Sequence, residues 1–267
     1  MQGPKTLLEY EDNWVTAMGA WFPGERVVFR GKDLFHELKD LGWMALLLYG
    51  ITGRILSEKQ VKLFEGLWKF STSYPDPRLW NNRIAALAGT TRSTAALAIG
   101  AATAVSEASI YGNRIMHRAM DFFLRIKPQV DKGVDLVKLI EAEIKQYKII
   151  GGYGRPIIHQ DERIEPVMAL AKKLGFADGS YIKLAFAVEE ILSKERGLRM
   201  NIGAVLAALA ADQGFSRYEF YQYIILCFSG GMFPCYIDTQ AKPEGSFFPL
   251  RCDKIQYEGK KRRIWNT

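Results

Sequence analysis

Gly151-Gly152-Tyr153-Gly154-Arg155-Pro156-Ile157-Ile158-His159-Gln160-Asp161-Glu162-Arg163 is the stretch that decides how this chain is read. A glycine-rich turn leads through a short link to an acid-acid-arginine step, and an amphipathic helix over 164–175 follows at once. Glycine permits close approach of backbone to a neighbour or a ligand. The guanidinium of Arg163 has the planar fork that grips a carboxylate through two hydrogen bonds.

Outward from this stretch the chain reads as helix after helix. Residues 1–30 read as irregular or extended, with Val27-Val28-Phe29 the one strand candidate. Helices are expected over 33–41 and 42–49. Another starts after the cap Ser57 and runs to 68. Tyr74-Pro75-Asp76-Pro77 is a break, because two prolines cannot sit inside a helix. Segments 81–87 and 94–108 are rich in Ala, Gly, Ser and Thr. Small side chains let helices pack closely, here at a subunit interface. Amphipathic patterns continue over 115–125, 134–146, 181–194, 202–213 and 217–229, and helical periodicity is lost from Lys242. The expectation is an all-α fold, one domain over 1–267.

Composition narrows the function classes. With 48% hydrophobic and 24% charged residues, the chain has the make-up of a soluble globular protein. The net charge of +7 owes much to Lys260-Lys261-Arg262-Arg263, which reads as a solvated tail. A nucleic-acid role rests on that tail alone, with only Tyr257 and Trp265 near it as aromatics, and is not expected. Cys227, Cys235 and Cys252 show no metal-ligand spacing, so neither a zinc site nor a disulfide framework is expected, and a reducing cytoplasm fits. Around Lys5, Glu9, Glu11 and Asp12 there is no apolar run of a secretion signal. The apolar stretch 43–48 is too short to cross a bilayer.

Several motifs in order carry a resemblance. The opening stretch is similar to G-[FY]-G-H-x-x-[YL]-x-x-x-D-P-R, the active-site segment of the citrate synthase and citryl-CoA lyase family. Phe29-Arg30-Gly31-Lys32-Asp33-Leu34 resembles the family's [YF]-R-G-x-D-[IL]. Leu87-Ala88-Gly89-Thr90 resembles L-A-G-S, and Leu250-Arg251-Cys252-Asp253-Lys254-Ile255-Gln256-Tyr257-Glu258-Gly259 resembles I-R-P-x-A-x-Y-x-G. The resemblance implies a citrate-synthase-like helical bundle with large and small subdomains, the small one near 115–215. It also implies a dimer or higher oligomer, and CoA or acyl-CoA as ligand with no covalent cofactor.

The family's chemistry needs a carboxylate to remove the α-proton of a thioester and donors to steady the enolate. The family supplies two histidines and an aspartate, and this chain departs at all three positions. Tyr111, in Ser109-Ile110-Tyr111-Gly112-Asn113, stands in the P-x-H-G-G slot. Arg155 stands for the second histidine, and Gly203, in Asn201-Ile202-Gly203, stands for the aspartate. Ser229-Gly230 has lost the arginine of the family's S-R pair. By the resemblance Arg163 and Arg251 bind substrate carboxylate, the latter across a dimer interface, and Gly152, Tyr153, Gly154 and Asn201 frame the CoA site.

From the residues alone Arg163 has a second reading, a first-turn arginine paired with a nearby acid. Glu162 reads as an exposed acid favoured by the helix dipole. Arg155 keeps its proton at any usable pH, so it can stabilise an oxyanion but not act as a general acid. Tyr111 is a hydrogen-bond donor, and His159, Glu162 and Glu107 are the base candidates. His36 and His117 read as surface or capping groups. Three functions follow. The first is a catalytically silent partner, regulatory or ligand-binding subunit, possible beside an intact paralogue. The second is an altered acyl-CoA lyase or transferase built on Tyr111 and Arg155. The third is a scaffold without a small-molecule site.

Overall fold

A computed structural model describes residues 3–155, 160–247 and 251–261. The chain divides into two compact units, 1–71 with 113–227 and 72–112 with 228–267.

The first unit opens with α1 (Pro4–Tyr10) and a three-stranded antiparallel meander of β1 (Gly19–Phe22), β2 (Arg26–Phe29) and β3 (Lys32–Asp33). The single strand expected at 27–29 is thus the middle of three. The helix expected over 33–41 is a series of turns instead. Asp33 decides this locally: its carboxylate accepts the amides of Phe35 and His36, and Glu37 reaches back to the Asp33 amide at 2.8 Å. Those side-chain bonds compete with the helical ladder.

Next come α2 (Trp43–Thr52) and α3 (Glu58–Ser71). The α3 start follows the sequence reading, with Ser57 Oγ accepting from the Gln60 amide and Gln60 Oε1 accepting from the Ser57 amide. After the second unit's first segment, chain elements α6 (Arg114–Asp131), α7 (Leu136–Tyr147), α8 (Ile164–Leu174), α9 (Ser180–Arg196), α10 (Ile202–Asp212) and α11 (Arg217–Ile225) complete the unit. Helix α10 is its axis. Every residue from Ile202 to Ala211 is buried, six of them alanine or glycine, so that α6 and α9 approach its backbone closely. An ion-pair network ties the outer helices. Arg125 bridges Asp121 and Glu143, and Arg217 joins Asp121 at 3.0 Å.

The second unit packs α4 (Trp80–Thr90), α5 (Ala95–Val105) and α12 (Met232–Gln240) around Ala85, Ala98, Ala102, Met232 and Tyr236. Where α4 meets α12, a Cβ on Gly89 would strike Thr239 and the Tyr236 carbonyl. Buried Asn82 donates to the Tyr74 carbonyl, holding the Tyr74–Pro77 break. Helix α5 carries no charge and buries only Ala98 and Ala102, leaving Leu97 and Val105 exposed. On α12, Phe233 and Ile237 are exposed too.

Residues 217–240 are apolar and long enough to cross a membrane by composition. A 3₁₀ turn at Leu226–Phe228 interrupts the run. Phe220, Tyr223, Ile224, Met232 and Tyr236 within it are buried, as in core helices.

Candidate ligand site at the glycine turn

The glycine turn is shaped first by packing. A Cβ on Gly151 would come within 2.7 Å of the Ala119 nitrogen on α6, and one on Gly152 within 2.6–2.8 Å of Ala204 on α10. Gly152 also has φ of +86°, which L side chains rarely adopt. The turn therefore wedges between two helix backbones.

Tyr153 then enters the core. Its hydroxyl donates to the Ala185 carbonyl at 2.8 Å, and burial, with the Glu189 charge, pushes its pKa well above the usual range. Tyr153 pairs with Met200 in an isolated antiparallel bridge, and the Gly154 amide donates to the Arg199 carbonyl at 2.7 Å. Asn201 fastens this pairing. Its amide donates to the Gly152 carbonyl, its Nδ2 donates to the Gly154 carbonyl at 3.0 Å, and its Oδ1 caps α10 by accepting from the Gly203 amide at 2.9 Å. The polar atoms of Tyr153 and Asn201 thus serve the turn itself.

Asp161 brings the acid-acid-arginine step to the same corner. Its side chain is fully buried. One carboxylate oxygen accepts the Ile202 amide at 2.9 Å at the start of α10. Arg163 closes on both oxygens at 2.8 Å. Burial pushes the Asp161 carboxyl up. The hydrogen bonds and charge of Arg163, with the Ile202 amide, outweigh that and hold it below the usual range. Arg163 so follows the reading of an arginine paired with a local acid.

Arg155 completes the cluster. Its Nη1 donates to Glu162 Oε2 at 2.7 Å and to the Gln160 carbonyl at 2.9 Å, and lies 3.8 Å from Asp161. Glu162 is exposed, as expected, but the Arg155 hydrogen bond is what lowers its pKa most. That pairing went unread in the sequence. Its only signal was an acid standing where the family has proline, seven residues from an arginine standing where the family has histidine.

Gly203 presents no side chain. A Cβ there would face Asn201 Oδ1 at 3.0 Å and Met116 Cγ at 3.3 Å. Arg155, Arg163, the Gly152–Gly154 backbone, Asn201 and Gly203 all belong to one neighbourhood of the first unit.

Tyr111 and Arg251 belong to the second unit. Tyr111 is exposed, with φ of +55°, and stands edge-on to Trp80 at 6.2 Å. Trp80 Nε1 donates to the Ile110 carbonyl, clamping that turn. Arg251 forks onto Asp253 at 3.1 and 2.9 Å in an exposed position. Glu107 is exposed. His36 is exposed and lies 3.0 Å from Asp33, while His117 stacks at 5.3 Å from Tyr221. His159 lies outside the described residues. Among the described residues no group of three His, Cys, Asp or Glu side chains is placed to hold a metal ion. Cys227 and Cys235 are free, and burial pushes the Cys227 thiol up to about 11.

No family model matches this sequence, and no curated protein sequence matches it either. Solved structures do. Citryl-CoA lyase from Hydrogenobacter thermophilus superposes with a TM-score of 0.81 at 19% identity, over 95% of this chain and 98% of that one. ATP citrate lyase from Methanosaeta concilii, solved with (3S)-citryl-CoA, gives 0.76 at 16% identity. It covers 98% of this chain, which spans 45% of that longer one. Citrate synthase from Thermoplasma acidophilum gives 0.62 at 15% identity, over 84% of this chain and 59% of that one. At these identities the likeness establishes the architecture: the chain has the all-α, citrate-synthase-like fold that citryl-CoA lyase, ATP citrate lyase and citrate synthase share.

Proposed function

We propose that this chain is a citrate synthase- and citryl-CoA lyase-like protein that is catalytically silent alone, and that it serves as a partner, regulatory or ligand-binding subunit for a CoA thioester or a polycarboxylate. One observation carries the reading. At the start of α10, position 203 offers a hydrogen where the family motif has a carboxylate. Among the described residues, Asp161 and Glu162 at this corner are both engaged by arginines and hydrogen bonds that lower their basicity, and Glu189 accepts the Met200 amide at 3.0 Å. Removing a thioester α-proton requires a base with an available lone pair and a pKa near the operating pH. Arg155 supplies positive charge but no proton transfer.

The ligands to test follow from the structural neighbours, which were solved with citryl-CoA, and with citrate and coenzyme A. No covalent cofactor is invoked. Arg163 and Arg251 are the carboxylate-binding candidates, and the Gly152–Gly154 turn with Asn201 is the candidate wall of a CoA pocket. The uncharged α5 face and the exposed Phe233 and Ile237 on α12 support a homodimer, or a mixed assembly with an intact paralogue. The two buried free thiols suit a reducing cytoplasm.

A second reading has its own observation. Tyr111 is a non-glycine residue in the left-handed region, exposed and clamped by Trp80. Strain of that kind collects at functional positions. A divergent acyl-CoA lyase or transferase would use its hydroxyl as an electrophilic donor, and the Arg155 charge is the other group this reading invokes.

Calorimetry with CoA, acetyl-CoA, citrate and oxaloacetate, run beside a CoA-release assay on citryl-CoA, tests both readings. The expected result is saturable binding of at least one ligand with no turnover. Sustained turnover by the purified chain overturns silence, and Tyr111→Ala and Arg155→Ala then decide the second reading. Absence of any binding leaves a scaffold.

A further inference from the structure

The second unit holds a cavity of about 170 Å³ that has no residue in common with the glycine-turn site. Pro75 and Pro77 of the break, Pro234, Cys235 and Asp238 of α12, and Phe247 line most of it. These walls are fixed without a guest. Buried Asn82 donates to the carbonyls of Tyr74 and Asp76, which sets both prolines of the break. The Gly245 amide donates to the Thr90 carbonyl at 3.2 Å, and the Phe247 amide to Thr90 Oγ1 at 3.4 Å. Arg92 donates to the carbonyls of Gln240 and Lys242. The segment that carries Phe247 is therefore tied to the end of α4.

The chemistry of the walls selects the guest. Proline has no N–H, so three wall positions donate nothing. One of them, Pro234, stands in the first turn of α12, where an anion would otherwise find a free amide. The Cys235 amide donates to the Gly231 carbonyl at 3.3 Å, and the hydroxyl of Thr239, another wall residue, to the Ala86 carbonyl at 2.8 Å. Asp238 is an exposed carboxylate paired with Lys242 at 2.6 Å. Cys235 is 6% exposed. Burial first, then the charges of Asp238 and Asp76, raise its pKa, so the thiol faces the cavity uncharged. A carboxylate placed here would lose water, gain no strong donor and meet like charge.

We infer that this cavity is a binding site for a small, neutral, apolar molecule of about benzene size, and that it rejects carboxylates. Proline rings, Phe247 and the neutral thiol favour an apolar guest over water. An apolar cavity of roughly 150 Å³ takes a guest the size of benzene. The ligand class is opposite in character to a CoA thioester or a polycarboxylate, and the site belongs to the second unit. The inference is therefore independent of whether the glycine-turn site binds either of those and of whether the chain turns anything over.

Calorimetry of the purified full chain with benzene, and with benzoate as its anionic counterpart, tests this. Saturable benzene binding is expected, about tenfold or more tighter than that of benzoate. Cys235→Leu, which fills the cavity, is expected to weaken benzene binding by about tenfold or more, whereas Cys235→Ala, which leaves it open, retains it. Circular dichroism checks that both variants are folded. The unaltered chain gives a second readout. Methyl methanethiosulfonate, a neutral reagent, modifies accessible thiols, and peptide mapping follows Cys235. With benzene at about ten times its Kd, modification of Cys235 is expected to slow about tenfold, because only the unliganded fraction reacts. If Cys235→Leu does not fold, this protection decides alone. Three results overturn the inference. The first is no saturable binding of benzene. The second is benzoate bound as tightly as benzene. The third is benzene binding that neither protects Cys235 nor responds to Cys235→Leu, which places the guest elsewhere.

Discussion

Arg163 and Arg251 make the same contact in two places. Each closes its guanidinium fork on an aspartate two residues away, Arg163 on Asp161 and Arg251 on Asp253, at 2.8–3.1 Å. The surroundings differ. Asp161 has no exposed side-chain surface, and it also accepts the Ile202 amide that opens α10. Asp253 is mostly exposed, as is Arg251. A buried carboxylate without its partners is costly, whereas an exposed pair exchanges its contact for water at little cost. Identical geometry therefore makes a buried pair of Asp161–Arg163 in the first unit and an exposed pair of Arg251–Asp253 in the second.

The largest break in this comparison is Asp161→Ala. It removes the cap of Ile202 and both partners of the Arg163 fork, and is expected to destabilise folding by about 3 kcal/mol, the scale of losing one member of a buried pair and a helix cap. Chemical denaturation followed by circular dichroism measures it. A loss below about 0.5 kcal/mol, as for an exposed pair, would erase the distinction.

Asp161→Asn sharpens the comparison through pH. The folded-state pKa of Asp161 lies below its unfolded value. Its stabilisation is thus complete above the ordinary carboxylate range and is lost as pH falls through the lowered folded pKa. Between those two pH values the wild-type stability is expected to fall with a steeper slope than that of the Asn variant. Parallel acid limbs in urea titrations would refute the assignment.

Glu162→Gln removes the exposed partner of Arg155. Folding stability is expected to change by less than about 1 kcal/mol. Arg155, with one anionic partner fewer, is expected to bind citrate more tightly, by calorimetry, and unchanged citrate affinity would refute a role for its charge in holding a carboxylate. Asp253→Ala is the smallest perturbation, expected to shift stability by less than about 0.5 kcal/mol. A shift of 2 kcal/mol or more would make the two arginine pairs energetically alike.

Much of the fold was legible from residue patterns. Buried faces at helical spacing located α3 and α6 through α11, though α6 runs on to Asp131 beyond the expected 125, and Ser57 marked a capped start. The misses have local causes. Asp33 and Glu37 divert the 33–38 backbone into side-chain hydrogen bonds, which a periodicity reading does not register. The arm and meander before residue 30 lack a repeating apolar face, so β1 and β3 left only the trace at Val27-Val28-Phe29. In the site, the glycines and the replaced positions were readable one by one. The pairing of Arg163 with a local acid was readable too, but the cap that Asp161 gives Ile202 was not, since that amide comes from a distant segment.

By itself the sequence determined an all-α chain with the motif order of a citrate-synthase-like fold, and the resemblance pointed to Tyr111, Arg155 and Gly203 as residues that differ from that family's motifs. Periodicity and glycine placement are local properties, and a single chain carries them in full. Which arginine pair is buried and which is exposed was decided only in the tertiary structure. Burial belongs to no residue alone: Asp161 is dry where the Arg163 fork and the Ile202 amide that opens α10 meet it, and Asp253, with an arginine at the same spacing, is mostly exposed.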